Sequence, residues 1–95
     1  PLHLRSDATY LVTGGLGSLG LEIAGYLAAN GAGHLVLTSR RTPDETAASR
    51  IEALRERHGC EVRVVTADVA DAHAVARLLA TVQAEMPPLA GIVHA

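Results

Sequence analysis

Residues 8–33 read ATYLVTGGLGSLGLEIAGYLAANGAG, and this stretch decides the fold. Its first part, Ala8 to Thr13, is short, apolar and β-branched, which is typical of a strand buried on both faces. Glycines follow immediately, and from Ser18 apolar residues recur at helical spacing until Asn30 and Gly31, which predict the end of a helix. The side of this helix that we expect to be buried is marked by Leu19, Ile23 and Leu27. The stretch therefore predicts a buried strand, a glycine-rich turn and a helix in direct succession.

The rest of the chain repeats this alternation of strand and helix. Strands are predicted at residues 34–38, 61–66 and 89–94. The first intervening helix is predicted to begin at Pro43-Asp44-Glu45 and to end at Gly59. The second is predicted to begin after an N-cap at Asp71 and to end at Met86-Pro87-Pro88. The buried side of the last helix is expected to consist of Val75, Leu78, Leu79 and Val82.

The order βαβαβαβ, with short connections, predicts an α/β fold with a Rossmann-type parallel sheet. Each crossover helix must return the chain to the same end of the sheet, so helices cover both faces and the strand order is 3-2-1-4. The fourth strand would then be an apolar edge, which is an aggregation hazard, and we expect a further strand to follow in a longer parent protein. Residues 1–7 are polar and aperiodic and are expected to be an upstream linker, with residues 8–95 forming the first part of a larger domain.

The composition excludes several classes of function. The formal net charge of −2 argues against nucleic acid as a partner. No apolar stretch approaches the ~18 residues that span a bilayer. Cys60 is the single cysteine and cannot form an internal disulfide, so we expect a cytoplasmic protein. All eight basic residues are arginine, so a mechanism that needs a lysine must take it from outside these 95 residues.

The turn Gly14-Gly15-Leu16-Gly17-Ser18-Leu19-Gly20 has the spacing of a dinucleotide-binding turn. Glycines at such positions permit a tight turn, close approach of the backbone to phosphates and close packing of the helix on the strand. The helix that follows offers free N–H groups and the positive end of its dipole to a pyrophosphate. A P-loop is excluded because the chain has no lysine. A glycine-rich turn without a ligand is the competing interpretation.

The residues after the second strand indicate which dinucleotide is bound. An acidic residue about 20 residues past the glycines would bind both ribose hydroxyls of NAD. This chain has Ser39-Arg40-Arg41 there instead. A carboxylate would repel a 2′-phosphate and a guanidinium would bind it, so NADPH is favoured over NADH. The absence of an acidic residue here also disfavours a methyltransferase, because the ribose of its cofactor usually needs an acid at this point. The alternative interpretation is that the two arginines are simply solvated residues of a loop.

Two further strand ends are expected at the same carboxyl edge of the sheet, where open α/β folds bind ligands. Asp68 and Val69 follow the third strand, where Asp68 would accept a hydrogen bond from an adenine amino group and Val69 would pack beside the ring. Asp68 has an alternative role, which is to cap or brace the next turn. His94 and Ala95 end the fourth strand, next to the expected ribose. A lone histidine at a strand end is more often a packing residue than an acid or base.

Taken in order, TYLVTGGLGSLGLEIAGYLAANGAGHLVLTSRR, ADVAD and GIVHA resemble the first half of the ketoreductase domain of modular polyketide synthases. These domains belong to the complex short-chain dehydrogenase/reductase superfamily, and the resemblance covers residues 8–95. It implies NADPH-dependent reduction of a β-keto thioester, carried on an acyl carrier protein, to the β-hydroxy thioester. It also implies other domains of the same synthase as partners, and a homodimeric parent.

The resemblance also implies roles for individual residues. The pyrophosphate would be surrounded by Gly14, Gly15, Leu16, Gly17, Ser18 and Leu19; Ser39 and Arg40 would hold the 2′-phosphate, Asp68 and Val69 the adenine, and His94 and Ala95 the adenine-side ribose. In this family a catalytic Tyr, Ser, Lys and Asn all follow the fourth strand, so no catalytic residue and no metal ligand is assigned in this chain. Tyr26 and Asn30 have a similar Tyr-x-x-x-Asn spacing but lie within the first helix, where Tyr26 is interpreted as a packing residue.

Two alternatives remain open from the sequence. One is a ketoreductase of the fatty acid synthase type, which only the domain context would distinguish. The other is a non-catalytic pseudo-ketoreductase segment that braces neighbouring synthase domains. Such a segment has no reason to keep both the phosphate turn and Arg40.

Overall fold

Parallel strands alternate with helices in this computed structural model, which describes residues 3–95. The elements of these residues are β1 (Thr9–Thr13), α1 (Ser18–Ala29), β2 (His34–Ser39), α2 (Glu45–His58), β3 (Glu61–Thr66), α3 (Ala72–Glu85) and β4 (Leu89–His94). The strand order is β3-β2-β1-β4, and all neighbouring strands pair in parallel. The predicted Rossmann-type α/β fold is confirmed.

The helix boundaries follow from capping residues that the sequence predicts. The Asp44 carboxylate accepts a hydrogen bond from the backbone N–H of Ala47 at 2.8 Å, and so begins α2. Asp71 begins α3 in the same way, by accepting from the N–H of His73 at 2.9 Å. Gly59 ends α2 in the left-handed conformation, with φ of 65°. Short loops of defined geometry therefore lead into and out of each strand.

The sheet is covered on both faces. Helices α1 and α2 pack on one face, against a cluster that includes Val12, Leu35 and Leu37. Helix α3 packs on the other face, against Leu11 and Val36. Consecutive residues of β2 thus point to opposite faces, and residues 35–38 are fully buried. Among the described residues, no helix combines the length and the hydropathy that crossing a membrane requires.

The buried side of α1 differs from the predicted one. It consists of Gly20, Leu21, Ala24, Leu27 and Ala28. Leu19 is 61% exposed and Tyr26 58% exposed, so the predicted burial of Leu19 and the packing role of Tyr26 are both wrong. The helix lies so close to the preceding turn that a Cβ at Gly20 would come within 2.3 Å of the Gly14 carbonyl oxygen. Small residues must therefore form this contact, and a search for large apolar side chains misses them.

Burial in helix α3 differs from the prediction at one residue, whereas burial in strand β4 agrees with it. Leu79 is 39% exposed, contrary to prediction, and Ala74 is buried instead. On β4, Leu89 and Ile92 are 36% and 59% exposed, as expected for an apolar strand at the edge of the sheet. Of the expected upstream linker, residues 1 and 2 lie outside the described residues, and the others run against the amino end of the sheet.

Candidate functional site

The carboxyl ends of the strands are held together by backbone hydrogen bonds that continue past the strands. The N–H of Gly15 donates to the carbonyl of Thr38 at 2.8 Å, which ties the glycine-rich turn to the end of β2. The N–H of Ala67 donates to the carbonyl of Ser39 at 2.9 Å, which ties β3 to β2. The loops that leave this edge of the sheet therefore start from fixed positions.

A cleft of about 520 Å³ lies along this edge. Its lining residues are Gly14, Thr38, Ser39, Arg40, Arg41, Ala67, Asp68, Val69, Ala70, His94 and Ala95. A second cleft of about 350 Å³ shares Ser39 and Arg41 with the first and reaches Leu16 and Gly17. The two clefts thus bring predicted residues from all four strand ends onto one edge of the sheet, whereas Gly15 is buried and lines neither cleft. Ser18 and Leu19 lie exposed at the start of α1, next to Gly17.

The glycines of the turn are not all required by the fold. Gly14 has φ of +68°, and a Cβ there would lie 2.8 Å from the Ala95 carbonyl oxygen. Cβ atoms at Gly15 and Gly20 would also meet neighbouring atoms at 2.8 and 2.3 Å. Gly17 is different, because its φ is −74° and the nearest atom to a Cβ would be 3.7 Å away. Packing and backbone conformation would therefore both accept a side chain at Gly17.

The N-terminus of α1 differs from those of the other two helices. Its N-cap residue is Gly17, so no side chain caps it, and its first turn contains no acidic residue. Asp44 and Asp71, by contrast, cap α2 and α3. The first N–H groups of α1 and the positive end of its dipole therefore have no side-chain partner among the described residues, and a bound anion would satisfy both.

Two arginines add positive charge to the same surface. Arg40 and Arg41 are exposed at the end of β2, and neither forms an ion pair among residues 3–95. Of the other six arginines, three are paired within the described chain and three, Arg50, Arg57 and Arg77, are not. What distinguishes Arg40 and Arg41 is therefore their position at the carboxyl edge of the sheet. The Ser39 hydroxyl accepts a hydrogen bond from the Arg41 N–H at 3.3 Å, which shapes this turn. The cleft therefore offers two unpaired guanidinium groups to an anion.

Asp68 and Val69 form the part of the cleft wall that follows β3. The Oδ1 atom of Asp68 accepts a hydrogen bond from the Ala70 N–H at 2.9 Å, so the bracing role considered from the sequence is present. Its Oδ2 atom has no hydrogen-bond partner in the part of the chain that the structure describes. Val69 is 39% exposed beside it. The wall thus combines a carboxylate oxygen with an apolar side chain, which suits a flat heterocycle that carries an amino group.

His94 is held by a residue whose role the sequence did not reveal. A hydrogen bond joins the Thr13 hydroxyl to His94 Nδ1, and the Ala95 N–H donates to the Thr13 carbonyl at 3.0 Å. The register of β1 and β4 shifts between Thr9 and Tyr10, and this shift sets Thr13 opposite His94. Thr38, Ala67 and Ala70 also line the cleft without having been predicted, and Arg41, for which the sequence indicated no role separate from that of Arg40, lines it too. Their positions next to predicted residues are the one signal that could have indicated them.

The geometry fits what comparison with known proteins finds. Residues 8–95 match the family model described as the KR domain. The chain belongs to the KR domain family. This KR domain resembles 5-methyl-1-naphthoate synthase of Streptomyces sahachiroi, with 44% identity in an alignment of 106 positions, gaps included. The alignment covers 99% of this chain and 6% of that protein. A highly reducing polyketide synthase of Emericella nidulans is 43% identical over 95 residues, which cover 99% of this chain and 4% of that protein.

A solved ketoreductase domain shows the same fold. The crystal structure of a ketoreductase domain from the bacillaene assembly line matches this KR domain with a TM-score of 0.90 and 41% identity. The match covers 99% of this chain and 23% of the solved one. The chain therefore spans a small part of each relative's length. The resemblance to polyketide synthase ketoreductases, which are oxidoreductases with a Rossmann-type fold, is confirmed.

Proposed function

We propose that this chain is the NADPH-binding portion of a polyketide synthase ketoreductase, which reduces a β-keto acyl thioester on an acyl carrier protein to the β-hydroxy thioester. Gly17 carries the proposal. A Cβ at this position would have no neighbour closer than 3.7 Å, so the fold does not explain the glycine. Close approach of a diphosphate to the uncapped N-terminus of α1 does explain it.

The residues at this edge of the sheet support a position for the pyrophosphate and for the adenine-side half of the cofactor. The pyrophosphate would lie on residues 14–19, where the N–H groups of α1 offset its charge. Arg40 and Ser39 would hold the 2′-phosphate, and the second unpaired guanidinium, that of Arg41, adds to the positive potential there. Asp68 and Val69 would receive the adenine, and His94 and Ala95 the ribose next to it.

The chemistry of the reaction divides between the cofactor and the protein. When bound, NADPH supplies the hydride that reduces the ketone. The residues of this chain bind and orient it: the α1 N-terminus and Arg40 through charge, and Val69 through apolar contact. We assign no proton-transfer role to any residue of this chain, which contains no lysine. In this proposal residues 8–95, which match the KR domain, are the cofactor-binding part. The catalytic Tyr, Ser, Lys and Asn that the family resemblance implies would belong to the remainder of the ketoreductase domain.

The partners follow from the same proposal. The substrate would arrive on an acyl carrier protein, and the other domains of the synthase would surround the ketoreductase in the cytoplasm. The relatives named above support this context, because each is many times longer than this chain.

Arg40→Ala in a complete ketoreductase domain tests the cofactor assignment. Each charge-assisted hydrogen bond to the 2′-phosphate contributes roughly 1.5–3 kcal/mol, so NADPH affinity should fall about 10- to 100-fold. NADH affinity should change less than about twofold, because NADH lacks the phosphate. Arg57→Ala is the matched control, since Arg57 is equally exposed but lies in the last turn of α2. Equal affinities for the two cofactors, unchanged by Arg40→Ala, would refute the assignment.

A non-catalytic bracing segment explains fewer of the observations. Such a segment needs a packed sheet, and Gly14, Gly15 and Gly20 serve that packing. It has no use for a glycine at 17 or for unpaired arginines at the strand ends. These features instead favour a site that binds a phosphorylated ligand.

A further inference from the structure

The residues that precede β1 lie against the amino end of the sheet, opposite the cleft. The Leu4 N–H donates to the carbonyl of Asn30 at 2.9 Å, and the Gly33 N–H donates to the carbonyl of Arg5 at 3.3 Å. The Arg5 N–H donates to the Tyr10 hydroxyl at 2.8 Å. The Leu4 side chain packs on the main core cluster. Residues 4–7, which we call the strap, are thus bonded to the α1–β2 turn on one side and to β1 on the other.

Two glycines of the α1–β2 turn form the surface on which the strap rests. A Cβ at Gly33 would lie 1.9 Å from the Ser6 carbonyl oxygen, so no other residue fits there while the strap is in place. A Cβ at Gly31 would lie 3.1 Å from the Leu4 carbonyl oxygen, and Gly31 also has φ of +103°. The conformation of Gly33 is not left-handed, so its close contact with the strap, and not its backbone conformation, requires a glycine at this position.

The strap also has an internal ion pair that sets its shape. The Arg5 guanidinium contacts both carboxylate oxygens of Asp7, with Nε to Oδ1 at 3.0 Å and Nη2 to Oδ2 at 3.2 Å. This hydrogen-bonded pair lowers the pKa of Asp7 and raises the pKa of Arg5. Both side chains face solvent, so the pair supports the turn at residues 6–7 without joining the core.

We propose that the strap is a docking element, seated on Gly31 and Gly33, that fixes the direction in which the polypeptide enters the sheet. A flexible linker would need neither the glycine at 33 nor a buried hydroxyl bonded to its backbone. Tyr10 is 8% exposed, and its hydroxyl reaches the strap from within the core. In a multidomain synthase, a docked strap would hold the preceding polypeptide at the amino end of the sheet, away from the cofactor edge.

Hydrogen exchange in a complete ketoreductase domain tests the docking. The amides of Leu4 and Arg5 should exchange more slowly than an unstructured chain, and Tyr10→Phe should speed exchange at Arg5 by about fivefold, the factor that one hydrogen bond is worth. The Leu4 amide should be unaffected, because its acceptor is Asn30. Tyr26→Phe is the matched control, since the Tyr26 ring is exposed on α1. Exchange at the unstructured rate in the wild type would overturn the proposal.

Trypsin provides a second measurement, because Arg5 is its cleavage site in the strap. The docked Arg5–Ser6 bond should resist cleavage, and Gly33→Ala should speed it at least about tenfold by displacing Ser6. NADPH binding by Gly33→Ala should stay within about twofold of the wild type, which separates local undocking from global unfolding. Equal cleavage rates in the wild type and in a Gly33→Ala domain that still binds NADPH would overturn the proposal.

Discussion

Replacing Gly17 with alanine should weaken cofactor binding without harming the fold. The new Cβ would meet nothing closer than the Gly14 carbonyl oxygen at 3.7 Å, and the backbone at φ −74° and ψ 168° suits alanine. Alanine is a poorer N-cap than glycine, but it also lowers the entropy of the unfolded chain. These effects are similar in size, so the free energy of unfolding should change by less than about 0.5 kcal/mol.

The effect on binding should be much larger. The methyl group would occupy free space beside the start of α1, where the pyrophosphate is expected to lie. Overpacking of this kind costs about 1–3 kcal/mol, so NADPH affinity should fall about 5- to 150-fold. Fluorescence titration with NADPH would measure the affinity, and urea unfolding would measure the stability, both in a complete ketoreductase domain.

Two other glycines of α1 serve as controls. Gly20→Ala would place a Cβ 2.3 Å from the Gly14 carbonyl oxygen, so it should destabilise the fold by about 3 kcal/mol. Gly25→Ala would make an ordinary contact with Leu54 at 3.5 Å, so it should stabilise the helix by about 0.5–1 kcal/mol and leave affinity unchanged. If Gly17→Ala binds NADPH like the wild type, or unfolds as readily as Gly20→Ala, the reasoning about Gly17 is wrong.

Two further predictions concern stability and reactivity. Asp71→Ala should lower the free energy of unfolding by about 1 kcal/mol through loss of the α3 cap, whereas Asp71→Asn should keep most of it; equal losses in urea unfolding would contradict this. Burial raises the pKa of the Cys60 thiol to about 11. Between about pH 9 and pH 11 the thiol is therefore ionised in the unfolded chain but not in the folded one, so the free energy of unfolding should fall as the pH rises through this range. At pH 8 iodoacetamide should alkylate native Cys60 about 100-fold more slowly than the unfolded chain, and rates within tenfold of each other would contradict the burial.

Local signals allowed most of the fold to be predicted. Strand β3 lies at the predicted residues, and Asp44, Gly59 and Asp71 mark helix ends as expected, because a cap depends on atoms within a few residues. The buried side of α1 was not predictable in this way. Its contact with β1 depends on small residues such as Ala24, which hydropathy does not distinguish from loop residues.

The features of the candidate site also divide into those that local sequence predicts and those that depend on contacts between distant residues. The glycine turn and Arg40 carry their signals in sequence spacing, and the structure places both at the carboxyl edge of the sheet. The bond between Thr13 and His94 joins residues that are far apart in the chain. This bond depends on the register of β1 and β4, which shifts between Thr9 and Tyr10. No local sequence pattern encodes that register.

Gly17 and Gly33 show why a glycine needs its surroundings before it can be interpreted. Neither has a positive φ, so in neither case does the backbone conformation require glycine. A Cβ at Gly33 would overlap the Ser6 carbonyl oxygen at 1.9 Å, so the chain's own backbone accounts for that residue. A Cβ at Gly17 would have free space around it, so the fold leaves that glycine unexplained. Because the α1 N-terminus beside Gly17 also lacks a side-chain cap, the diphosphate site that we propose would account for both features together.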